Sequence, residues 1–371
     1  MKHHFSNSHY PFIDSYLGDK TATLISKSLF HNYNSQGDYI KKSPTTLISN
    51  VPLLSIMAGM DWYESKSVLY HLRDYSKDRP IIMAYSEGSK KFFRPISMPT
   101  TQAAQKWLRY FSYPQKYPHL YQSCIRFNMM KLRSLAPVLP NAALKPPPLR
   151  SKDEQAIYSN YMNAFQKWKN EVWNETLDDE GFCIGRDLVW DVDDVYEDSD
   201  ALIASCQIAE HLKDKYGVNK VEIDYSGSKG FHVVVAWEEA QKVLNMTEKD
   251  LTPLQTCAKR TWGIVKKIFR EATGEDFREA DLSPMRRQGI RRCPFSVHPK
   301  THRVCYPLAR NHVLKEGNAN FNPKRFHYKV CKFPKTPFNY EIPNALEWTG
   351  DYLEAAATFK KENPHGTLFT M

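Results

Sequence analysis

The chain has 371 residues, 42% of them apolar, with a formal net charge of +10 and a pI near 9.0. That length exceeds one minimal core and suits two domains or one large domain with an insertion. The apolar content excludes a disordered chain, and the charge favours a polyanionic partner as readily as it serves solubility. No run of about 18 apolar residues occurs, and the start MKHHFSNSHY has no apolar core, so the expectation is a soluble, intracellular protein that does not engage a membrane. Seven cysteines (Cys124, Cys183, Cys206, Cys257, Cys293, Cys305, Cys331) without a CxxC pair point to reduced buried thiols rather than a disulfide framework.

In chain order, residues 1–60 show no parsable pattern beyond one helix around Thr21 to Phe30. ESKSVLYHLRDYS, from Glu64, reads as a helix. RPIIMAYSEGSKKFFRPISM reads as a hairpin turning at Ser86 to Ser89, and Gln102 to Phe111 as a second helix. Between Leu135 and Leu149, Pro137, Pro140, Pro146, Pro147 and Pro148 forbid regular structure and mark a stiff connector. Ser151 is placed as the N-cap of a helix over 152–174 whose apolar face is Ile157, Tyr161, Phe165, Trp168 and Val172. Residues 128–185 as a whole read as an insertion into a core spanning 61–345, with 346–371 as a tail.

A more regular unit follows. Leu188 to Val192 is a strand, and about Asp200 to Tyr216 a helix carrying Leu202, Ile203, Ala209 and Leu212, closed by Gly217. KVEIDYSGSKGFHVVVAW gives strand, glycine turn, strand. Thr252 as N-cap and Pro253 at N1 open a helix running through Trp262, Val265 and Phe269 to Gly274. The order strand, helix, hairpin, helix predicts an α/β (α+β) fold whose sheet is mixed and partly antiparallel.

Three stretches carry chemistry. VWDVDDVYEDSD places Asp191 and Asp193 on one face of a strand, with Asp194 beside them. Paired carboxylates are hard ligands suited to Mg²⁺ or Mn²⁺, although an acidic strand end also serves as a turn or helix cap. In YSGSKGFH, Gly227 and Gly230 flank Ser228 and Lys229, so that amides, the Ser226 and Ser228 hydroxyls and the lysine could cradle phosphates; His232 adds a hydrogen bond, and an ordinary hairpin turn is the plainer alternative. DLSPMRRQGIRRCPFSVHPKTHR supplies Asp281, four arginines including Arg292, then His298 and Lys300. It also reads as a basic solvated loop, or as a zinc site of Cys293, His298, His302 and Cys305, which lacks the usual short Cys-x₂₋₄-Cys spacing.

Together these motifs resemble, in order, those of the catalytic subunit of archaeal and eukaryotic DNA primases within the archaeo-eukaryotic primase-polymerase superfamily. The Asp-x-Asp pair is Asp191 and Asp193, and the Ser-Gly-x-[Arg/Lys]-Gly-x-His motif is Ser226 to His232. The third carboxylate is Asp281, and CPFSVHPKTHRVCYP is similar to the family's Pro-Phe/Gly-Ser-x-His-x-Lys-Thr-Gly segment, with His302 where glycine is usual. The likeness covers about residues 75–128 and 186–310. It departs at the 128–185 insertion and in lacking a cysteine-rich zinc knuckle between the first two motifs.

The resemblance implies a template-dependent nucleotidyltransferase that begins chains de novo. Asp191, Asp193 and Asp281 would hold two Mg²⁺ or Mn²⁺ ions, with no structural zinc. Ser226, Gly227, Ser228, Lys229 and His232 would hold the triphosphate, and Arg292, His298, Lys300 and Arg94 would add positive charge. Implied partners are a single-stranded DNA template, NTPs or dNTPs, and a large primase subunit or replicative helicase in the replication machinery of cytoplasm, nucleoid or nucleus. The alternatives are an end-joining or gap-filling polymerase of the same superfamily and a catalytically inactive replication-initiation protein.

Overall fold

The computed structural model describes residues 60–84, 92–96, 98–111, 119–138, 140, 150–193, 198–274, 280–281, 283–298, 300–332, 341–364 and 368. The helix expected near Thr21, the turn at 86–89, most of the proline-rich connector and Asp194 lie outside them, and Arg94 and Asp281 are described through their backbones alone.

The first described part is a helix pair over a small sheet. Helix α1 (Lys66–Tyr75) buries Val68, Leu69 and Leu72 at three- and four-residue spacings. Strands β1 (Ile81–Ala84) and β2 (Phe92–Ile96) form the expected hairpin, and helix α2 (Thr101–Phe111) packs on α1. Strands β3 (His119–Ser123) and β4 (Ile125–Phe127) follow with a single residue between them.

Helix α3 (Lys152–Trp168) starts at a full capping box. Ser151 Oγ accepts from Glu154 N at 3.2 Å, and a Glu154 carboxylate oxygen accepts from Ser151 N at 2.9 Å. Tyr161, Phe165 and Trp168 are buried as their spacing requires. The fourth member of the face, however, is Tyr158 rather than Ile157, which is 47% exposed. The helix continues through a π-helical turn, Lys169–Trp173, which brings Trp173 against Phe127 and Phe182 and ties this segment into the core.

The central sheet comes next: β5 (Cys183–Arg186), β6 (Leu188–Val192), helix α4 (Asp198–Tyr216), β7 (Glu222–Tyr225) and β8 (Phe231–Val235). Helix α5 (Leu254–Thr273) ends at Gly274, whose φ of +73° favours glycine. It begins one residue later than predicted: Pro253 occupies the cap position, and the first amide, Leu254 N, donates to Asp178 Oδ1 at 2.7 Å from a distant loop. Short strands β9 (Ala280–Asp281), β10 (Ile290–Arg292) and β11 (Tyr306–Pro307) complete the sheets, and helix α6 (Thr349–Glu362) packs on α4.

The two larger sheets among the described residues are ordered β10-β3-β1-β2 and β11-β7-β8-β6-β9, and β4 pairs with β5 in a separate two-stranded ladder. The protein is of the α+β kind, and its antiparallel character extends to every described pairing. Strands β6 and β7 are joined through α4 and run in the same direction, but β8 inserts between them and pairs antiparallel with both. On the rear of the five-stranded sheet α4 and α5 cover Trp190, whose Nε1 donates to Val265 O at 2.9 Å. On the front, Arg291 of β10 reaches across from the other sheet to Asp224 and Glu222 of β7.

Candidate active site

In an antiparallel ladder, directly opposed residues share a face. Asp224 lies opposite His232, His232 opposite Asp191, and Asp191 opposite Asp281. Asp224, His232 and Asp191 therefore form one row across three strands on the front of the sheet, and Asp281 occupies the next register position. Sequence reading paired Asp191 with Asp193 by local alternation; the β6–β9 ladder adds the third carboxylate from 90 residues away at backbone level.

His232 Nε2 stands 3.5 Å from Asp191 Oδ1. Burial, aided by the Arg291 and Arg292 charges, pushes the His232 pKa well below the usual imidazole value, so the ring is neutral near pH 7. Asp193 follows the end of β6 and is exposed, under the start of β8. A Cβ on Gly230 would lie 2.6 Å from Val192 O and 2.8 Å from Asp193 Oδ1, so glycine is what allows the turn to close over the carboxylate.

The turn between β7 and β8 is held from inside. Ser226 Oγ accepts from Ser228 N at 3.4 Å and Gly230 N at 3.3 Å, and Tyr225 Oη donates to Ser228 O at 2.6 Å. Gly227, at φ +84°, takes the left-handed conformation. Ser226 Oγ thus accepts from within the turn, and its own hydroxyl hydrogen is the group it has to offer the triphosphate that the motif assigns to it. Ser228 is half-buried, and Lys229 at the apex is exposed.

The second and third sequence clusters meet here. A Cβ on Gly227 would fall 3.0 Å from Arg303 O, 3.2 Å from Cys305 N and 3.3 Å from His298 Cβ. Thr301 Oγ1 donates to Gly227 O, and Arg303 Nη1 donates to Tyr225 Oη at 2.9 Å. His298 Nδ1 accepts from the amides of Lys300 and Thr301, each at 3.3 Å. Burial first, then Arg292, pushes its pKa down to about 3. With Nδ1 accepting from the backbone, the hydrogen of the neutral His298 ring lies on Nε2.

Arg292 lies over the Tyr121 ring, 5.1 Å from its centroid, and its buried Nη1 has no hydrogen-bond partner. Lys300 is exposed at the head of the same segment as His298. Of the other arginines in the basic stretch, Arg287 pairs with Asp178, Arg286 lends its carbonyl to Arg186, and Arg291 is committed to Asp224 and Glu222. The alternative zinc set is not assembled: Cys293 is buried against Gln122, while Cys305 approaches Asp224 and His232.

Tyr225, Thr301 and Arg303, which lock the glycine turn to the basic segment, were not singled out from sequence. Five basic residues crowd 292–303, and nothing local marks which of them turns inward.

The donor set suits divalent cations. Asp191 and Asp193 offer hard oxygen donors at the solvent edge of a buried row, with Asp281 in register beside them.

No family model matches the chain, and no curated protein matches it. Among solved structures, the polymerase domain of Ligase D from Mycobacterium tuberculosis, in complex with DNA, aligns with 84% of this chain and 93% of its own length, at a TM-score of 0.38 and 11% identity.

Proposed function

We propose that the chain is a template-dependent nucleotidyltransferase of the primase-polymerase kind, starting short chains on single-stranded DNA. The observation that carries this reading is the register of β9, β6 and β8. It sets Asp281, Asp191 and His232 side by side, next to a glycine turn fastened to a second basic segment.

Asp191, Asp193 and Asp281 would hold two Mg²⁺ or Mn²⁺ ions, which supply charge stabilisation at the attacking and leaving oxygens of phosphoryl transfer. The chain's own contribution is positioning. The turn at 227–230, through the Ser228 hydroxyl and Lys229, binds the triphosphate, and His232 and His298 orient it as neutral donors. Arg292, over the Tyr121 ring, brings a cation with a spare N–H, and Lys300 and Arg94 add diffuse positive charge. A template runs over the basic surface mainly through phosphate contacts, so its binding weakens steeply with salt. A large primase subunit or a replicative helicase fits the same reading as a further partner. Among the described residues no helix is long and apolar enough to cross a membrane.

The test is synthesis without a primer: single-stranded template, labelled NTPs or dNTPs in parallel, and Mn²⁺. Labelled short products support a primase. Extension only of a supplied 3′ end moves the assignment to an end-joining or gap-filling polymerase, and DNA binding with no incorporation of either kind removes the enzymatic reading.

A further inference from the structure

Behind the proposed nucleotide site, the row of polar residues continues into the core. Asp224 and Cys305 are 0% exposed and His232 is 3% exposed. One potential donor atom from each lies within 4.8 Å of the other two. Asp224 and His232 come from the paired strands β7 and β8, while Cys305 directly precedes β11, the neighbour of β7 on its other side. Since Pro307 opposes Asp224, alternation puts Cys305 on the same face of the sheet.

Two of these residues are incompletely bonded although fully enclosed. Asp224 gives Oδ2 to Arg291 and leaves Oδ1 without a partner, and His232 Nδ1 has none. Cys305 Sγ makes one long contact, 3.9 Å to Arg292 O. Buried oxygen and nitrogen atoms left this way are costly in a folded protein. Donors around a tetrahedral zinc are roughly 3.5 Å apart, so the three need to close by up to about 1.3 Å to share one ion.

We propose that Asp224, His232 and Cys305 form a mononuclear site for a borderline-soft divalent cation of the Zn²⁺ class, at the buried end of the row and separate from the carboxylate site at its Asp191 end. One carboxylate, one imidazole and one thiolate exclude a preference for Mg²⁺ or Ca²⁺, which take oxygen ligands, and leave one tetrahedral position for a small ligand. Two carboxylates, Asp224 and Glu222, and the Cys305 thiolate face the charges of Arg291 and the cation, so the cluster carries no large excess of either sign. Ligation through Nδ1 would fix the His232 tautomer with hydrogen on Nε2, the atom that faces Asp191. The buried metal would then act as a positioning element for the nucleotide site. That link rests on the proposed function; the cation site itself does not.

Co²⁺ alone is the probe, added to the metal-stripped full-length chain without nucleotide. The expected result is a near-ultraviolet sulfur-to-cobalt charge-transfer band saturating at one equivalent. It should be lost in Cys305→Ser, kept in Asp193→Ala, and require at least about tenfold more Co²⁺ in Asp224→Asn. X-ray absorption of the wild-type Zn²⁺ form, which depends on no variant folding, should show one sulfur among lighter ligands. A wild-type chain with no such band, a band that survives Cys305→Ser, or an all-oxygen shell would overturn the site. The primer-free assay can fail without affecting any of these readouts.

Discussion

Two acidic positions stand at opposite ends of β6, Asp187 buried and Asp191 half-buried, and the fold treats them differently. Asp187, just before the strand, is saturated: Arg79 Nε and Nη2 reach Oδ2 at 2.8 and 2.5 Å, and Arg126 Nε and Trp237 N reach Oδ1, each at 3.0 Å. Arg126 continues to Glu238, closing a knot that joins β4, β6 and the helix at 237–244. Four residues on, the row through Asp191 leaves His232 Nδ1, Asp224 Oδ1 and, nearby, Arg292 Nη1 unbonded inside the protein. Paired buried charge holds the architecture together at Asp187, whereas the row through Asp191 combines unpartnered buried atoms with an exposed carboxylate, Asp193, at its open end.

The comparison breaks most visibly at the saturated end. Asp187→Asn leaves two guanidinium groups facing a neutral amide, and should cost about 3–5 kcal/mol in denaturant unfolding. Burial would raise the Asp187 pKa, but Arg79 and then Arg126 outweigh it and hold the carboxyl below its usual range. A depressed carboxylate contributes stability that is fully present above its unfolded pKa of about 4 and is lost as pH falls through the folded value. The wild type should therefore lose stability on acidification below about pH 4, and Asp187→Asn should lose less over the same interval. Equal acid sensitivity in the two proteins would contradict the assignment.

At the other end the effects should move from stability toward function. Gly230→Ala drives a methyl into Val192 O and the Asp193 carboxylate, costing about 1–3 kcal/mol. It should also lower the rate of nucleotide incorporation, which distinguishes it from overpacking elsewhere in the core. Lys229→Ala, at the exposed apex of the turn, should leave the melting temperature within a degree or two while raising the nucleotide KM about tenfold, roughly 1.4 kcal/mol. An unchanged KM would remove Lys229 from the triphosphate site. The smallest effect is expected at Ser151→Ala, which loses one capping bond of α3, about 1 kcal/mol, with incorporation unaffected.

What the sequence disclosed follows from how far apart the interacting residues lie. The glycine turn, the helix ending at Gly274 and the capping box at Ser151 are local, and their residues announce themselves within a few positions. Even so, local periodicity chose Ile157 over Tyr158 for the buried face of α3, because which of two adjacent apolar residues turns inward depends on the surface it meets. Thr252 looked like a cap for α5, yet the donor there is satisfied by Asp178, 76 residues upstream. The Asp224–Arg291 pair spans 67 residues and two sheets, so neither residue carried a legible signal. Asp281 was found only through its place in a motif order, and the β6–β9 register is what sets its backbone beside Asp191.

The account's central claim is that the incompletely bonded end of β6 is a reaction centre rather than a second structural knot. Labelled-nucleotide incorporation on single-stranded template, measured side by side for the wild type and Asp191→Ala with unfolding curves on the same samples, tests it most directly. The account predicts incorporation by the wild type, a fall of at least about 10²-fold in the variant, and stability lowered by less than about 1 kcal/mol. A variant that incorporates at the parental rate, or that loses several kcal/mol as Asp187→Asn should, would contradict it.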